Sequence, residues 1–573
     1  MRTQPDTSSR GKAFGVDTGL FFLLFYLYVW LVVDPRLIHH SIGVVTPYYP
    51  FSFTTGWPFL WEHLARPGGL VEYGTRLLSN LYGLGWLGAL IVTAAAWATC
   101  LGIDVVTRVA GRPRGMVVRY VPAVLVLIMY GGDGHPLRTV LSLLVALFCF
   151  MLYLRPAARG TAKASVALLV LCVAAYHVAG AGSLLLPVLV AIDEALITRR
   201  KLVTLVALLC GLGVPWLVGG TFFDLPFSEA YGDFLIPDWG AMAAWTWPYV
   251  LVLYLCFPAV LAGAALHRAL LARRTAKASD PTSSRTNSSW TARIPRFLSW
   301  RESRRSMKIA AVCLAAAAIV WLTSDTRGRV GLEMDYYCQQ EMWPEVLQAA
   351  DRMPRGLYNI RCNRNVMLAL YHTGRLGDEM FRYPQAPGDV VYSLLSSDKD
   401  PHTYLQESRL FLELGQVNLA EKCAYEALVM TGDLPWILEH LAVIHAVKDQ
   451  PETAEVFLKA LSRKPLRRRA AEEMLRRLAE DPRLEGDAQV RQIRRSVVGR
   501  DRASLTVNNE EALLELLRQN PDNRMAFEFL MAHYLRAGRV DKVVENLGHL
   551  ERLGYPGIPR HFQEAILVYA SRT

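Results

Sequence analysis

The sequence contains no phosphate-binding P-loop, no dinucleotide fingerprint, no zinc-ligand spacing and no serine-hydrolase elbow. These absences exclude a soluble-type ATPase or dehydrogenase. Cysteine is sparse and scattered. Cys100, Cys149, Cys172, Cys210, Cys256 and Cys313 fall within or beside apolar runs and read as small hydrophobes. Cys338, Cys362 and Cys423 are unevenly spaced, so no disulfide framework is indicated. A cleavable leader is also missing: the apolar run Leu20 to Val33 lacks a small-residue cleavage site and ends at Asp34-Pro35, so it is expected to remain as an anchor. No inverted repeat is evident and charge at mid-membrane depth is scarce, which argues against a secondary transporter.

What is present divides the 573 residues into an apolar half up to about Thr323 and a charged half after it. The net charge of +11 does not imply nucleic acid, because much of the excess sits in short segments between apolar runs, where the positive-inside rule places Lys and Arg. Arg2, Arg10 and Lys12 put the amino terminus in the cytoplasm. Spans then follow at Thr18–Val33, Leu81–Gly102, Tyr120–Tyr130, Thr139–Leu154, a hairpin of two short spans within Ser165–Leu196, Leu202–Gly220 and Trp247–Leu266. The hairpin is required by charge: only two crossings return Arg199, Arg200 and Lys201 to the inner side. Residues 1–266 are thus a polytopic membrane domain with a long outer loop at 34–80, and 267–308 a basic cytoplasmic linker. A ninth span at 309–324 delivers 325–573 to the extracytoplasmic side.

The second half reads as paired helices. LALYHTGRL (Leu368 to Leu376), LFLELGQVN (Leu410 to Asn418), LAVIHAVKDQ (Leu441 to Gln450) and MAHYLRAGRV (Met531 to Val540) are apolar helical runs ending in similar turns. The better turns lie about 33 to 41 residues apart, the period of helical-hairpin arrays. These residues, with Ala420, Ala424 and Ala427 for close packing and Gly415 and Gly538 for turns, resemble tetratricopeptide repeats. Such hairpins stack into an elongated superhelix whose groove takes a protein partner or acceptor, or serves as a lid. The pattern fades between Arg467 and Thr506. The fold class expected is all-α: a membrane domain of about nine spans followed by a TPR-like α-solenoid in a bacterial cytoplasmic membrane.

The polytopic half together with DYYCQQEMWPEVLQAA (Asp335 to Ala350) and LALYHTGRLGDEMF (Leu368 to Phe381) resembles a bacterial membrane-protein family of unknown function. In architecture the membrane half is also similar to the GT-C class of integral membrane glycosyltransferases: one span, a long outer loop, paired spans, a second outer loop after span seven, then an extracytoplasmic domain. That resemblance implies transfer of a sugar from a polyprenyl-phosphate carrier, with an acidic residue of the first outer loop as catalytic base. Asp34 occupies that position, although no second acidic residue follows before Glu62. A base near the acceptor hydroxyl and cationic groups for the departing phosphate are what the chemistry requires.

Asp34 is therefore the candidate base. Arg36, His39, His40, Glu62, His135 and His177 are candidate substrate-binding groups, and His63, Arg66, Glu72, Arg76 and Asp133 supply further groups. The expected donor is a polyprenyl-phosphate-linked sugar. No cofactor is assigned and divalent-metal dependence is undetermined. Competing readings stand beside these: Asp34-Pro35 as the terminator of span one, Asp133 and His135 as turn residues, His177 as a histidine bonded between helices, and the chain as a non-catalytic scaffold recruiting envelope proteins.

Overall fold

The computed structural model describes residues 7–40, 52–109, 118–131, 136–157, 160–232, 243–278, 317–318, 321, 326–385, 401–499 and 509–572. Among these, helix is the regular structure throughout, with no strand. The chain divides into two compact units, Met1–His39 with Gly56–Ser324, and His40–Thr55 with Asp325–Thr573. The second unit thus includes a segment from the loop after the first apolar run. The linker from 279 onward and all but isolated residues of the expected ninth span lie outside the described residues.

In the first unit the helices are α1 (Thr7–Tyr28), α2 (Pro35–His40), α3 (Trp57–Leu64), α4 (Gly69–Asn80), α5 (Gly85–Val109), α6 (Val121–Gly131), α7 (Leu137–Ala157), α8 (Thr161–Ala179), α9 (Leu185–Ile192), α10 (Lys201–Val214), α11 (Phe227–Gly232) and α12 (Ala243–Ala278). Among the described residues, five apolar stretches are long enough to cross a bilayer: Gly85–Val109, Leu137–Arg155, Thr161–Thr198, Lys201–Phe222 and Pro248–Leu270. Shorter apolar helices lie at Thr18–Val33 and Val118–Gly131. The unit is a helical membrane domain, and its surface agrees. On α10, Leu202, Leu205, Leu208, Leu209 and Leu212 are all exposed, whereas Val203, Ala207, Cys210 and Val214 are buried. An apolar stripe of that kind is costly in water and neutral in lipid.

The long apolar stretch Thr161–Thr198 doubles back on itself. α8 begins a few residues beyond the end of α7, yet at its far end the carbonyl of Ala179 accepts a hydrogen bond from Ser142 Oγ, near the start of α7, at 3.2 Å. Gly180 then takes φ +59°, ending α8. Fifteen residues beyond Ala179 the chain is level with the other end of α7, where Tyr153 Oη donates to Glu194 at 2.5 Å. Arg200 closes that end, bridging Glu194 at 2.6 Å and donating to the carbonyl of Ala157 at 2.9 Å. A second buried pair, Asp104 with Arg119 at 3.2 Å, ties α5 to the start of α6. Removing one member of such a pair strands a charge in low dielectric, at about 3–5 kcal/mol.

The second unit is a helical region built from hairpins. Thr326–Gln339 pairs with Trp343–Arg352, Pro401–Glu413 with Val417–Thr431, and Pro435–Val447 with Pro451–Ser462. The four similar turns share one conformation: Gly374, Gly415 and Gly538 have φ of +69°, +86° and +67°, and Asp449 takes the same place at +55°. Aspartate is among the few non-glycine residues that tolerate this region. Arg483 and Arg494 bond the Asp449 carboxylate at 3.1 and 2.8 Å. Beyond Glu480 the chain stops extending the row. Ala488–Ser496 packs back on Pro435–Val447, Val498 N–H reaches the carbonyl of Gly415, and Arg560–Arg572 packs on Leu376–Glu379 of an early hairpin. A buried polar network joins three early helices: Arg364 to Glu407 at 3.1 Å, Gln406 to Asn365 at 2.6 Å, and Asn365 to Asp335 at 2.7 Å.

The segment from the first loop is held to this unit at two places. His40 lies between Tyr336 and Trp436, with ring centroids 5.0 and 5.3 Å away, and its Nδ1 bonds Gln339 Oε1 at 3.0 Å. Residues 52–55 belong to no helix: Thr55 N–H donates to the carbonyl of Arg463, and Ser52 Oγ donates to Asp433 Oδ1 at 2.6 Å. Between them the ammonium of Lys464, 1% exposed, reaches Ser52 Oγ and Thr54 Oγ1 at 2.6 Å and Asp433 Oδ2 at 2.5 Å.

Candidate functional site

The residues of the 34–80 loop that converge lie on α3 and α4. Pro58 opens α3, whose exposed face carries Trp57 and Trp61, stacked at 6.2 Å. Its other face buries His63 to 1% exposure among Phe59 and Tyr73. Gly68, at φ +75°, reverses the chain. Gly69 is fixed by space instead, since a Cβ there would stand 1.7 Å from the carbonyl oxygen of His63. The hairpin rests on the ends of α7 and α8: Gly68 N–H donates to the carbonyl of His177 at 2.8 Å, and Val71 packs with Ala179, Leu141 and Val145.

This turn builds a cationic cluster. Glu72, in the first turn of α4, is bridged by Arg66 at 2.9 Å and by Arg76, one helical turn on, at 2.6 Å. Arg138, from the start of α7, adds a third positive charge close to the same carboxylate. Burial pushes the Glu72 carboxyl up, but Arg138, Arg76 and Arg66 together outweigh it and hold it below the usual range. The cluster therefore gathers three guanidiniums, from Arg66, Arg76 and Arg138, around one ionised carboxylate. His63 is its neighbour. Burial lowers its pKa, so the ring is neutral at pH 7. Its Nδ1 pairs with the carbonyl of Phe59 at 2.7 Å, which assigns the proton to Nδ1 and leaves Nε2 as an acceptor. That Nε2 is buried and has no hydrogen-bond partner among the described residues.

Most of the other candidates lie on other elements. Asp34 has φ +43° and sits at the start of α5, where a Cβ on Gly85 would touch its carboxylate and the Arg36 side chain at 3.4 Å. The two are bonded to each other: Arg36 Nε and Nη2 approach the Asp34 carboxylate at 3.0 and 2.8 Å. His39 is buried at the end of α2, while His40 belongs to the second unit. Glu62 is exposed on α3. His177 stacks on Phe223 at 5.9 Å, under the turn of the α3–α4 hairpin. Asp133 and His135 lie outside the described residues. Arg138 carries no signal of its own in the sequence, because its partner Glu72 comes from a different helix.

A family model described as "Family of unknown function (DUF6057)" matches residues 51–573, and the chain belongs to that family. Neither a comparison with curated proteins nor one with solved structures finds a match. The matched residues contain the whole cationic cluster, whereas Asp34, Arg36, His39 and His40 precede them.

Proposed function

We propose that this protein is a GT-C-like integral membrane glycosyltransferase that moves a sugar from a polyprenyl-phosphate carrier to an extracytoplasmic acceptor. The observation that carries the reading is the cluster of Arg66, Arg76 and Arg138 around Glu72, beside the exposed Trp57 and Trp61. Trp at such a position suits the headgroup boundary. Clustered guanidiniums there suit a lipid phosphate, since Arg makes bidentate bonds to phosphate oxygens. In the transfer, a base removes the acceptor hydroxyl proton as the bond from the sugar to phosphate breaks, and the arginines stabilise the charge left on phosphate. Asp34 is the base in this scheme, and its bond to Arg36 must open for it to act. Glu72, held by arginines, serves to orient them.

The accompanying topology is supported by parity. Residues 52–55 are bonded to Asp433, Arg463 and Lys464, so the C-terminal helical unit shares the side to which α1 delivers the chain. Counting Thr161–Thr198 as two crossings, seven apolar segments follow between Gly85 and Leu270, an odd number that returns the chain to the starting side. One more crossing is needed before Asp325, and Ile309 to Thr323 is the apolar run available in the sequence. With Arg2, Arg10 and Lys12 inside, the helical unit is extracytoplasmic.

The test uses the full-length protein in nanodiscs. Replacing Arg66, Arg76 and Arg138 by Gln is expected to weaken polyprenyl-phosphate binding at least tenfold, since one charged hydrogen bond contributes about 1.5–3 kcal/mol. Asp34→Asn is expected to keep that binding and lose transfer from a polyprenyl-phosphate sugar. Unchanged lipid binding by the triple variant would overturn the assignment of the cluster. A second reading, a non-catalytic scaffold with TPR-like repeats, is favoured by one observation: the helical unit already grips a non-helical segment, Ser52 to Thr55. It predicts full function in the Asp34→Asn cell and loss of function when the helical unit's surface is altered.

A further inference from the structure

The surface around the Lys464–Asp433 clamp combines two features. The first is apolar and exposed. Val429 and Met430, at the end of Val417–Thr431, are 82% and 50% exposed, and Leu466 is 42% exposed. Met430 precedes Asp433 by three residues and Leu466 follows Lys464 by two, while Asp433 and Lys464 are in contact at 2.5 Å. The clamp therefore holds these side chains in one neighbourhood. The second feature is cationic. Arg463, Arg467, Arg468 and Arg469 follow one another around Leu466. Arg467 and Arg468 meet Glu439 and Glu472 at 3.7 and 2.8 Å, while Arg463 and Arg469 are exposed and make no ion pair among the described residues.

We propose that this rim is a membrane-contact surface, with Val429, Met430 and Leu466 entering the headgroup layer and the arginines pairing with anionic lipid. Exposed apolar residues ringed by uncompensated arginine are the pattern of peripheral lipid contact. Chain continuity points to a lipid surface over an acidic protein partner. Thr55 bonds the carbonyl of Arg463 through both its N–H and its hydroxyl, and Trp57 is two residues further along the chain. Two residues span no more than about 7 Å. Trp57 and Trp61 have the character of residues at the water–lipid boundary, so the rim is tethered close to a bilayer whatever chemistry the membrane domain performs.

A photoreactive side chain tests this in the full-length protein. Leu466→p-benzoylphenylalanine and Met430→p-benzoylphenylalanine are reconstituted in nanodiscs of phosphatidylglycerol with phosphatidylcholine, or of phosphatidylcholine alone, with the exposed Glu485 carrying the same group as control. Lipid adducts are expected at 430 and 466 in anionic discs and not at 485. Charge reversal of Arg463, Arg468 and Arg469 to Glu should cut the yield tenfold or more, since each basic residue near an anionic surface contributes about a factor of five. These three side chains are exposed, so a matched melting curve verifies that the reversed protein is folded. Equal yield at all three positions, no lipid adduct at 466, or adducts to a protein at 466 in native membranes would each overturn the proposal.

Discussion

Lys464→Met isolates the clamp on the loop segment. The substitution keeps a long unbranched side chain in a site that is 1% exposed and removes only the ammonium. Lost are its contacts to Ser52 Oγ, Thr54 Oγ1 and Asp433 Oδ2, at 2.6, 2.6 and 2.5 Å. Bonds to a charged group contribute about 1.5–3 kcal/mol each when simply deleted, but methionine also abolishes the several kcal/mol of desolvation that the buried ammonium carries. Ser52 keeps its bond to Asp433 Oδ1 at 2.6 Å, and the Asp433 side chain, 49% exposed, regains water. The balance is a local loosening of about 2 kcal/mol, or roughly thirty-fold in opening of residues 52–55. Hydrogen exchange at the Thr55 amide, bonded to the carbonyl of Arg463 at 3.0 Å, reads this directly. Asp433→Asn should open the segment further than Lys464→Met, because it takes the Oδ2 charge away from a buried cation that stays in place. Unchanged Thr55 protection in Lys464→Met, or the reverse order of the two variants, would refute the reasoning.

Gly69→Ala is expected to destabilise the α3–α4 hairpin by about 3 kcal/mol, since the new methyl collides with backbone rather than with a movable side chain. Gly74→Ala, where a Cβ meets nothing within 4 Å, should be neutral or mildly stabilising, and paired melting curves compare the two. Acid should loosen the same hairpin in two stages. His63 has a folded pKa below its unfolded value, so the unfolded chain binds more protons as pH falls below about 6.5, and stability declines from there. Glu72 is also depressed, so its contribution is present above the ordinary carboxyl pKa, near 4.3, and is lost as pH falls through the lower folded value. Exchange of the α4 amides between pH 7 and 3 checks this. His63→Gln should remove the upper stage and Glu72→Gln the lower, and a single unchanged transition in both variants would contradict the assignment.

Much of the fold was legible because it depends on local pattern. Apolar runs of bilayer length marked the membrane helices, and the basic cluster Arg199 to Lys201 pointed to the return that Gly180 makes. The turns at Gly374, Gly415 and Gly538 were readable from glycine after an apolar helix, whereas Asp449 does the same work with its own pair of arginines. The placement of His40–Thr55 was hidden. It depends on Lys464, which in the run SRKPLRRR looks like one more solvated cation, and on partners about 400 residues away in the chain. Nothing in the identity of Lys464 distinguishes it from its exposed neighbours; its burial against a carboxylate and two hydroxyls does.

The candidate site divides along the same line. Glu72 and Arg76 stand four residues apart on one helix, a spacing that places them on one face, and Arg66 joins them once Gly68 has turned the chain. Arg138 arrives from another helix and has no local signature. Its charge changes the group: Glu72 with one arginine is a simple ion pair, whereas three guanidiniums around one carboxylate are what the proposed lipid-phosphate contact draws on. Asp34 and Arg36 show the converse. Read singly, one is a base and the other a phosphate ligand; bonded at 2.8 Å they sum to zero and hold each other's hydrogen-bonding groups. A phosphate seat requires surplus cation and a base requires a carboxylate that is free to take a proton. In the proposed chemistry Arg66, Arg76 and Arg138 supply the cations, and Asp34 acts as the base only after Arg36 has moved toward an incoming anion. Substrate phosphate is the one partner in the proposed chemistry that could draw it away, which would make exposure of the base contingent on the donor being bound.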